Sequence, residues 1–241
     1  MLSRLFSAWM TRLPSQCAIC RAWPAQRVCE TCVLRFAGPR PRCRRCALPC
    51  PEGVQVCGAC VLQPVPLNSC HAAVDYAYPW AQCIAEFKFQ QEPGWARTFA
   101  ALMLQNPKLQ DCVSQSDWLL PMPLAPARLQ ERGYNQALVL AKQLAPAKVL
   151  TEGLLRLRHT PSQRELTKRQ RQVNLRGALL ANPQHLSALH GARLTLIDDV
   201  MTTGASLAAA AQALRAAGAQ EVHACVFART PDPTVERVDR Q

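Results

Sequence analysis

Residues 194–206 constrain the fold of this chain more strongly than any other segment. They read Leu-Thr-Leu-Ile-Asp-Asp-Val-Met-Thr-Thr-Gly-Ala-Ser, and an Ala- and Leu-rich stretch follows them. The apolar start predicts a buried strand, the small hydroxyl and glycine residues predict a tight loop, and the following stretch predicts a helix. A helix N-terminus binds phosphate, and adjacent carboxylates accept hydrogen bonds from vicinal hydroxyls. The segment therefore predicts a strand–loop–helix unit that can hold a sugar phosphate.

The segment resembles the 5-phosphoribosyl-1-pyrophosphate (PRPP) signature of type I phosphoribosyltransferases. That signature has an apolar strand, two acids, a variable pair, Thr-Gly and a closing Ser or Thr, and every position fits here. The simpler alternative is a turn whose Asp and Thr only cap a helix, although capping requires just one such residue. The resemblance implies an α/β fold: a parallel-sheet, type I phosphoribosyltransferase-like domain.

The resemblance also assigns roles to the residues of the signature. Asp198 and Asp199 would bind the ribose hydroxyls and serve the catalytic step by orienting the sugar. Mg²⁺ would accompany the pyrophosphate and ribose oxygens rather than sit in a protein cage, because it dehydrates reluctantly. The 5-phosphate would be bound by five loop residues: Thr202, Thr203, Gly204, Ala205 and Ser206.

Eight of the thirteen cysteines form four Cys-x-x-Cys pairs near the N-terminus: Cys17/Cys20, Cys29/Cys32, Cys43/Cys46 and Cys57/Cys60. Each pair places two thiolates on one turn, and two pairs complete a tetrahedral Zn²⁺ site. The sequence thus predicts two structural zinc ions in a small zinc-ribbon module. Short spacings favour sequential pairing over an interleaved arrangement, because local loops close at lower entropic cost. Cys50 is an alternative ligand of the second site, and a disulfide framework is the alternative for the whole module.

Proline residues after the last pair predict a linker, and four segments follow from this division. We expect an amphipathic helix over 1–16, a double zinc ribbon over 17–62, a phosphoribosyltransferase-like domain over 70–230 and a polar tail over 231–241. The N-terminal helix could pack on the ribbon, or it could dock on a partner or a membrane surface. The segment lacks the apolar core and cleavage site of a signal peptide, and no run approaches the ~20 apolar residues of a membrane span, so we expect a cytoplasmic protein.

A Pro-rich segment after the predicted strand 117–121 carries Arg128 and Arg132, which we expect in a loop. Ligands of open α/β sheets bind beyond the strand ends, so this cationic loop is a candidate pyrophosphate site, with Lys88 as a further candidate contact. Its Arg-Gly-Tyr-Asn-Gln sequence resembles the ComF family of competence-associated, phosphoribosyltransferase-like proteins. Spaced residues between Arg158 and Ala178 and the four cysteine pairs extend that resemblance over nearly the whole chain.

Residues 156–176 contain seven Lys or Arg and one acid, Glu165. By resemblance this stretch is the flexible loop that closes over PRPP. A solvated basic hairpin and a DNA-contacting segment are the alternatives. The net charge of +12 is also concentrated toward the N-terminus, where residues 1–70 hold nine Arg and two acids. Such a surface favours anionic partners.

The resemblance implies PRPP as a ligand, and single-stranded DNA and a competence-machinery helicase or other proteins as partners. Three functions remain open at this point. The chain could bind PRPP while handling incoming single-stranded DNA; it could be a small-molecule phosphoribosyltransferase acting on a nucleobase or amide; or it could be a PRPP sensor without turnover. A catalytic version would transfer a pentosyl group by displacing pyrophosphate at C1 of the ribose.

Overall fold

The computed structural model describes residues 15–23, 25–156 and 179–231. The chain divides into two compact units, Met1–Gly38 and Pro39–Gln241. This division falls between the second and third cysteine pairs, inside the segment 17–62. The predicted N-terminal helix, the basic loop 156–176 and the polar tail lie outside the described residues, apart from residues 15, 16, 156 and 231. Within the described part of the chain, no helix is long and apolar enough to cross a membrane.

The smaller unit is built around its cysteine pairs. Ser15 and Ala25 form an antiparallel bridge, which brings the two ends of the first knuckle together. Helix α1 (Glu30–Phe36) then begins directly after Cys29. Glu30 in its first turn and Arg35 in its last turn both match the helix dipole.

The larger unit contains a four-stranded parallel sheet with strand order β1-β6-β5-β2. Helices surround this sheet, and a separate antiparallel pair is formed by β3 and β4. The elements in chain order are α2 (Gly58–Leu62), β1 (Ser69–Asp75), α3 (Trp80–Phe89), α4 (Trp95–Leu104), α5 (Pro107–Gln115), β2 (Trp118–Pro121), α6 (Pro126–Arg132), α7 (Gln136–Leu144), β3 (Leu154–Arg156), β4 (Leu179–Ala181), α8 (Leu186–Leu189), β5 (Arg193–Met201), α9 (Ala205–Ala216) and β6 (Glu221–Arg229).

The central strands are buried on both faces, as expected of a parallel sheet covered by helices. On one face of β6, Phe227 packs against Phe99 of α4 at 3.9 Å between ring centroids and against Trp80 of α3 at 5.6 Å. On the other face, Val222, Ala224 and Val226 join one apolar cluster with residues of α9. These two layers fix the sheet, and its strand ends then position the polar residues described below.

The α/β parallel-sheet prediction is confirmed, and the predicted strand–loop–helix unit is present as β5 and α9. The loop expected around Arg128 and Arg132 was wrong, because both residues lie on helix α6. Pro126 occupies the first turn of that helix, where its missing N–H is not needed, and Gly133 ends it with a φ of 75°. The Pro-rich composition favoured the prediction of a loop, although Pro126 and Gly133 are also typical of a helix start and a helix end.

Candidate functional site

Parallel strands place their carboxyl ends at one edge of the sheet, and the polar residues of the signature lie at this edge. Asp198 and Asp199 occupy the last part of β5. Successive side chains of a strand point to opposite faces. Leu196 belongs to the cluster that contains α9, so Asp198 is directed toward that side and Asp199 toward the side of α3. The two carboxylates therefore meet different neighbours although they are adjacent in sequence.

Asp199 forms an ion pair with Lys88, which lies in the last turn of α3. Lys88 Nζ is 3.1 Å from Asp199 Oδ1, and both side chains are largely buried. Asp199 Oδ2 is buried without a hydrogen-bond partner among the described residues. A buried carboxylate oxygen that lacks a partner is unfavourable in isolation, so it is suited to accept a hydrogen bond from a bound hydroxyl.

Asp198 has a strongly perturbed acidity. Burial and the negative charge of Asp199 together raise the pKa of Asp198 to about 7, and Lys88 acts in the opposite direction. The main-chain N–H of Asp199 donates to Asp198 Oδ1 at 2.9 Å, which also favours the ionised form. The single positive charge of Lys88 does not neutralise both carboxylates. A bound cation or a pair of bound hydroxyls would relieve their repulsion.

The loop after β5 makes a sharp turn at Gly204. Gly204 has a φ of 78°, and a Cβ atom at this position would lie 2.4 Å from Cε of Met201. The left-handed backbone therefore favours glycine here, and a side chain would also displace the end of Met201. Thr203 Oγ1 accepts a hydrogen bond from Ala205 N at 3.4 Å, and α9 begins at Ala205. The turn brings Thr202, Thr203 and Ser206 to the N-terminus of a twelve-residue helix.

The Arg-Gly-Tyr-Asn-Gln segment joins α6 to α7 and holds Arg132. Tyr134 donates its hydroxyl proton to the carbonyl of Phe87 in α3. Asn135 caps α7 by accepting from Ala137 N at 2.9 Å, and its Nδ2 donates to Met122 O at 3.0 Å. Gln136 accepts from Arg132 Nη1 at 3.0 Å. The segment thus fixes the first turn of α7 at the carboxyl end of β2 and directs Arg132 toward the sheet edge.

A cavity of about 260 Å³ lies at this edge, and the predicted site residues share it. Four cations and two carboxylates line it, so its lining is net positive and suits a polyanion. Arg156, the first residue of the basic stretch, is one of these cations. The lining residues that carry charge or belong to the loop are Lys88, Arg128, Arg132, Arg156, Asp198, Asp199, Thr202, Thr203, Gly204, Ala205 and Ser206.

The eight knuckle cysteines form two groups whose sulfur atoms lie within 4.8 Å of one another: Cys17, Cys20, Cys29 and Cys32 in the smaller unit, and Cys43, Cys46, Cys57 and Cys60 in the larger. This grouping is sequential. A tetrahedron with Zn–S bonds of about 2.3 Å has S–S edges of about 3.8 Å. The observed separations of 3.9 Å for Cys17–Cys32 and 3.6 Å for Cys46–Cys57 match that geometry.

The cysteines are reduced, and main-chain hydrogen bonds orient their sulfur atoms. All thirteen cysteines lie within the described residues, and all are free thiols. Main-chain N–H groups donate to the first sulfur of each group, from Cys29 to Cys17 at 3.4 Å and from Cys57 to Cys43 at 3.3 Å. Cys50 stands outside the second group, and its thiol is directed to the carbonyl of Leu48. Both groups are therefore suited to zinc, which prefers four thiolates.

Comparisons with known proteins agree with this geometry. Residues 130–240 match the phosphoribosyl transferase domain family. Competence protein F of Haemophilus influenzae is 31% identical over 196 residues, which cover 78% of this chain and 85% of that protein. This chain belongs to the ComF family. The DNA utilization protein YhgH of Escherichia coli K12 is 29% identical over 231 residues, covering 92% of this chain and all of that protein.

A solved structure of the allosteric regulatory enzyme of purine biosynthesis aligns with 19% identity and a TM-score of 0.37. It covers 59% of this chain, and this chain spans only 29% of that chain's length. The assignment to the ComF family rests on the sequence relatives.

Several residues at or near the candidate site are not indicated by the sequence alone. Tyr134, Asn135 and Gln136 belong to the family motif, and in the structure they position Arg132 and α7. Arg229 and Asp75 lie at the carboxyl ends of β6 and β1. A charged residue at the end of a strand is the available signal for each.

The arginines around the second cysteine group are structural in part. Arg42 donates to Asp75 Oδ1 at 2.7 Å and to the carbonyl of Ala47 at 3.1 Å. Arg40 also pairs with Asp75, and Arg45 donates to the carbonyl of Leu67. These contacts attach the second group to the end of β1 in this ComF-family chain. These arginines therefore stabilise the larger unit through hydrogen bonds and ion pairs, which the composition alone did not indicate.

Proposed function

We propose that this protein binds Mg²⁺–PRPP at the carboxyl edge of its sheet and uses this binding in the handling of single-stranded DNA. The observation that carries the proposal is the joint arrangement of the acidic pair of β5, the Gly204 turn and the N-terminus of α9 in one net-positive cavity. Such an arrangement offers acceptors for two ribose hydroxyls and donors for a phosphate.

In this proposal each group of the ligand has a partner in the chain. Asp198 and Asp199 accept hydrogen bonds from the ribose hydroxyls, and Thr202 to Ser206 surround the 5-phosphate. Lys88, Arg128 and Arg132 face the pyrophosphate and stabilise the charge that develops if it departs. Mg²⁺, bound to ligand oxygens, would neutralise part of the pyrophosphate charge. The protein contributes mainly positioning and charge stabilisation.

The DNA part of the proposal draws on the relatives and on the smaller unit. The relatives are named for competence and for DNA utilization. In the described part of the smaller unit, Trp23 is 65% exposed and lies two residues from the exposed Arg21. An exposed aromatic ring next to a cation suits single-stranded nucleic acid, since bases stack on such rings and the phosphates pair with the cation. A competence-machinery helicase or another protein is a proposed partner on the same grounds, and zinc in both cysteine groups would maintain the two ribbons.

Calorimetric titration of Mg²⁺–PRPP tests the ligand. We expect saturable binding to the wild type and none to the Asp198→Asn/Asp199→Asn variant, because the amides lose the charge and acceptor capacity that the ribose hydroxyls require. The exposed Lys142→Met variant on α7 is the control and should bind like the wild type. Absence of binding to the wild type would contradict the proposal.

PRPP consumption, followed with and without nucleobases and single-stranded DNA, separates the three functions. Turnover with a nucleobase supports a small-molecule transferase. Binding without turnover, together with DNA affinity, supports DNA handling, and binding without turnover or DNA affinity supports a sensor. Fluorescence polarisation with labelled single strands across a salt series measures the DNA affinity. Trp23→Ala should weaken this affinity about tenfold, while Arg97→Ala, an exposed control in the larger unit, should leave it within twofold.

A further inference from the structure

Arg229 closes strand β6 and is 6% exposed, so its charge is almost fully removed from solvent. Its guanidinium donates to main-chain carbonyls in three separate parts of the larger unit. Arg229 Nε donates to Cys46 O at 2.8 Å, and Nη1 donates to Met201 O at 3.1 Å and to Thr202 O. Nη1 also lies 2.6 Å from the carbonyl of Thr230. Hydrogen bonds from a buried cation are among the strongest available to a protein.

These carbonyls connect two functional parts of the molecule. Cys46 belongs to the third cysteine pair, so its carbonyl moves with the second four-cysteine group. Met201 and Thr202 open the loop that leads to Gly204 and the N-terminus of α9. The planar guanidinium has donors in a fixed fork, and this fork reaches the cysteine group and the loop at the same time. One side chain therefore contacts both parts directly.

Other contacts bind the second group to the same loop. Cys70 N donates to the carbonyl of Arg44 at 2.7 Å, and the thiol of Cys70 lies 3.5 Å from the sulfur of Met201. Cys43, Cys46 and Met201 are members of one buried apolar cluster. In a packed interior, a displacement of the knuckle is transmitted to its neighbours rather than absorbed by empty space.

We propose that Arg229 is a positioning residue that makes PRPP affinity depend on metal occupancy of the second four-cysteine group. This inference rests on the proposed PRPP-binding function. Without a metal the four sulfur atoms have no common ligand to hold them together, and the knuckle that carries Cys46 relaxes. Arg229 then loses one of its acceptors, and the carbonyls of Met201 and Thr202 are no longer held. The first group belongs to the other compact unit and provides a matched control.

The test combines zinc analysis with PRPP titration. Arg229→Lys keeps the charge but cannot reach the separate acceptors with a single ammonium group. We expect this variant to retain two zinc ions and to bind Mg²⁺–PRPP at least tenfold more weakly, a change of about 1.4 kcal/mol. Cys43→Ser/Cys46→Ser should lose one zinc and weaken PRPP binding by a similar factor. Cys17→Ser/Cys20→Ser should also lose one zinc but bind PRPP within twofold of the wild type.

Two further measurements distinguish positioning from a general loss of stability. Combining Arg229→Lys with Cys43→Ser/Cys46→Ser should weaken PRPP binding no more than either change alone, because both interrupt the same connection. Thermodynamic linkage also requires the reciprocal effect, so saturating Mg²⁺–PRPP should raise the zinc affinity of the second group about tenfold in an equilibrium competition with a chromogenic chelator. The zinc that remains in Cys43→Ser/Cys46→Ser should be bound with an affinity that PRPP does not change.

The outcomes separate this inference from the function on which it rests. If the wild type fails to bind PRPP, the proposed function fails and the inference falls with it. If the wild type binds but Arg229→Lys binds within twofold of it, or if the zinc affinity of the second group is insensitive to PRPP, the connection through Arg229 is refuted and PRPP binding stands. Should Cys43→Ser/Cys46→Ser fail to fold, the Arg229→Lys titration and the wild-type zinc-competition experiment decide the question.

Discussion

Replacing Lys88 with methionine removes the cation of the buried pair at the sheet edge and keeps a side chain of similar length. Lys88 Nζ lies 3.1 Å from Asp199 Oδ1. At an effective dielectric constant of about 20, two unit charges at this distance attract by about 5 kcal/mol. The Lys88 side chain remains 18% exposed, and this solvent contact screens part of the attraction. We therefore expect Lys88→Met to lower the free energy of unfolding by about 3 kcal/mol.

Lys88→Met and Asp199→Asn should lower the free energy of unfolding by different amounts. The Asp199 side chain is 7% exposed, so Lys88→Met leaves a carboxylate that water barely reaches. Asp199→Asn leaves an ammonium group that is more exposed and can hydrate, and it should cost about 1–2 kcal/mol. In the double variant neither charge remains, so much of the loss from Lys88→Met should be recovered.

Thermal and urea unfolding of the four proteins in this cycle give the coupling free energy. For a chain of this size, Lys88→Met should lower Tm by roughly 6–12 °C. Lys142→Met is the surface control and should change stability by less than about 0.5 kcal/mol. A coupling free energy below about 0.5 kcal/mol, or an Asp199→Asn variant less stable than Lys88→Met, would refute the interpretation of this pair as a buried and largely unscreened interaction.

Three further predictions concern the acids, the loop and the metal. Burial and the charge of Asp199 raise the pKa of Asp198 to about 7 from an ordinary value of 3.8, so the contribution of this group to stability is complete below the lower pKa and is lost as the pH rises through the higher one. Because Mg²⁺–PRPP favours the ionised form, calorimetry should show tighter binding at pH 8 than at pH 6. The Asp198→Asn variant should lose this pH dependence of binding. Gly204→Ala places a side chain on a left-handed backbone in the loop that lines the cavity and should weaken PRPP binding at least tenfold without loss of zinc, whereas Gly53→Ala, which also has a positive φ but lies outside the cavity lining, should bind within twofold. Metal analysis of protein purified without chelators should give two zinc equivalents, and fewer than one would contradict the assignment of the cysteine groups.

Local sequence signals were sufficient where one segment forms one structural unit. Residues 194–206 specify an apolar strand, a glycine turn and a helix, and each of these depends on contacts within the segment or on simple burial. The four Cys-x-x-Cys pairs specify two four-thiol groups because neighbouring knuckles meet across short loops. The sequence pattern does not indicate helix α6, because prolines are also typical of loops, although proline is favoured in the first turn of a helix.

The sequence by itself determined which residues carry the candidate ligand chemistry: an acidic pair and a small hydroxyl- and glycine-bearing loop in one segment, and two sets of soft metal ligands in another. Only the tertiary structure decided how these parts are joined. The Lys88–Asp199 pair joins residues from different ends of the domain, and Arg229 links Cys46 to Met201 across the sheet edge. Such contacts depend on strand order and on which elements share a face, and no local pattern records either of them. Parallel strands must be connected by long crossovers, and this is why residues so distant in the chain end at the same edge and form one site.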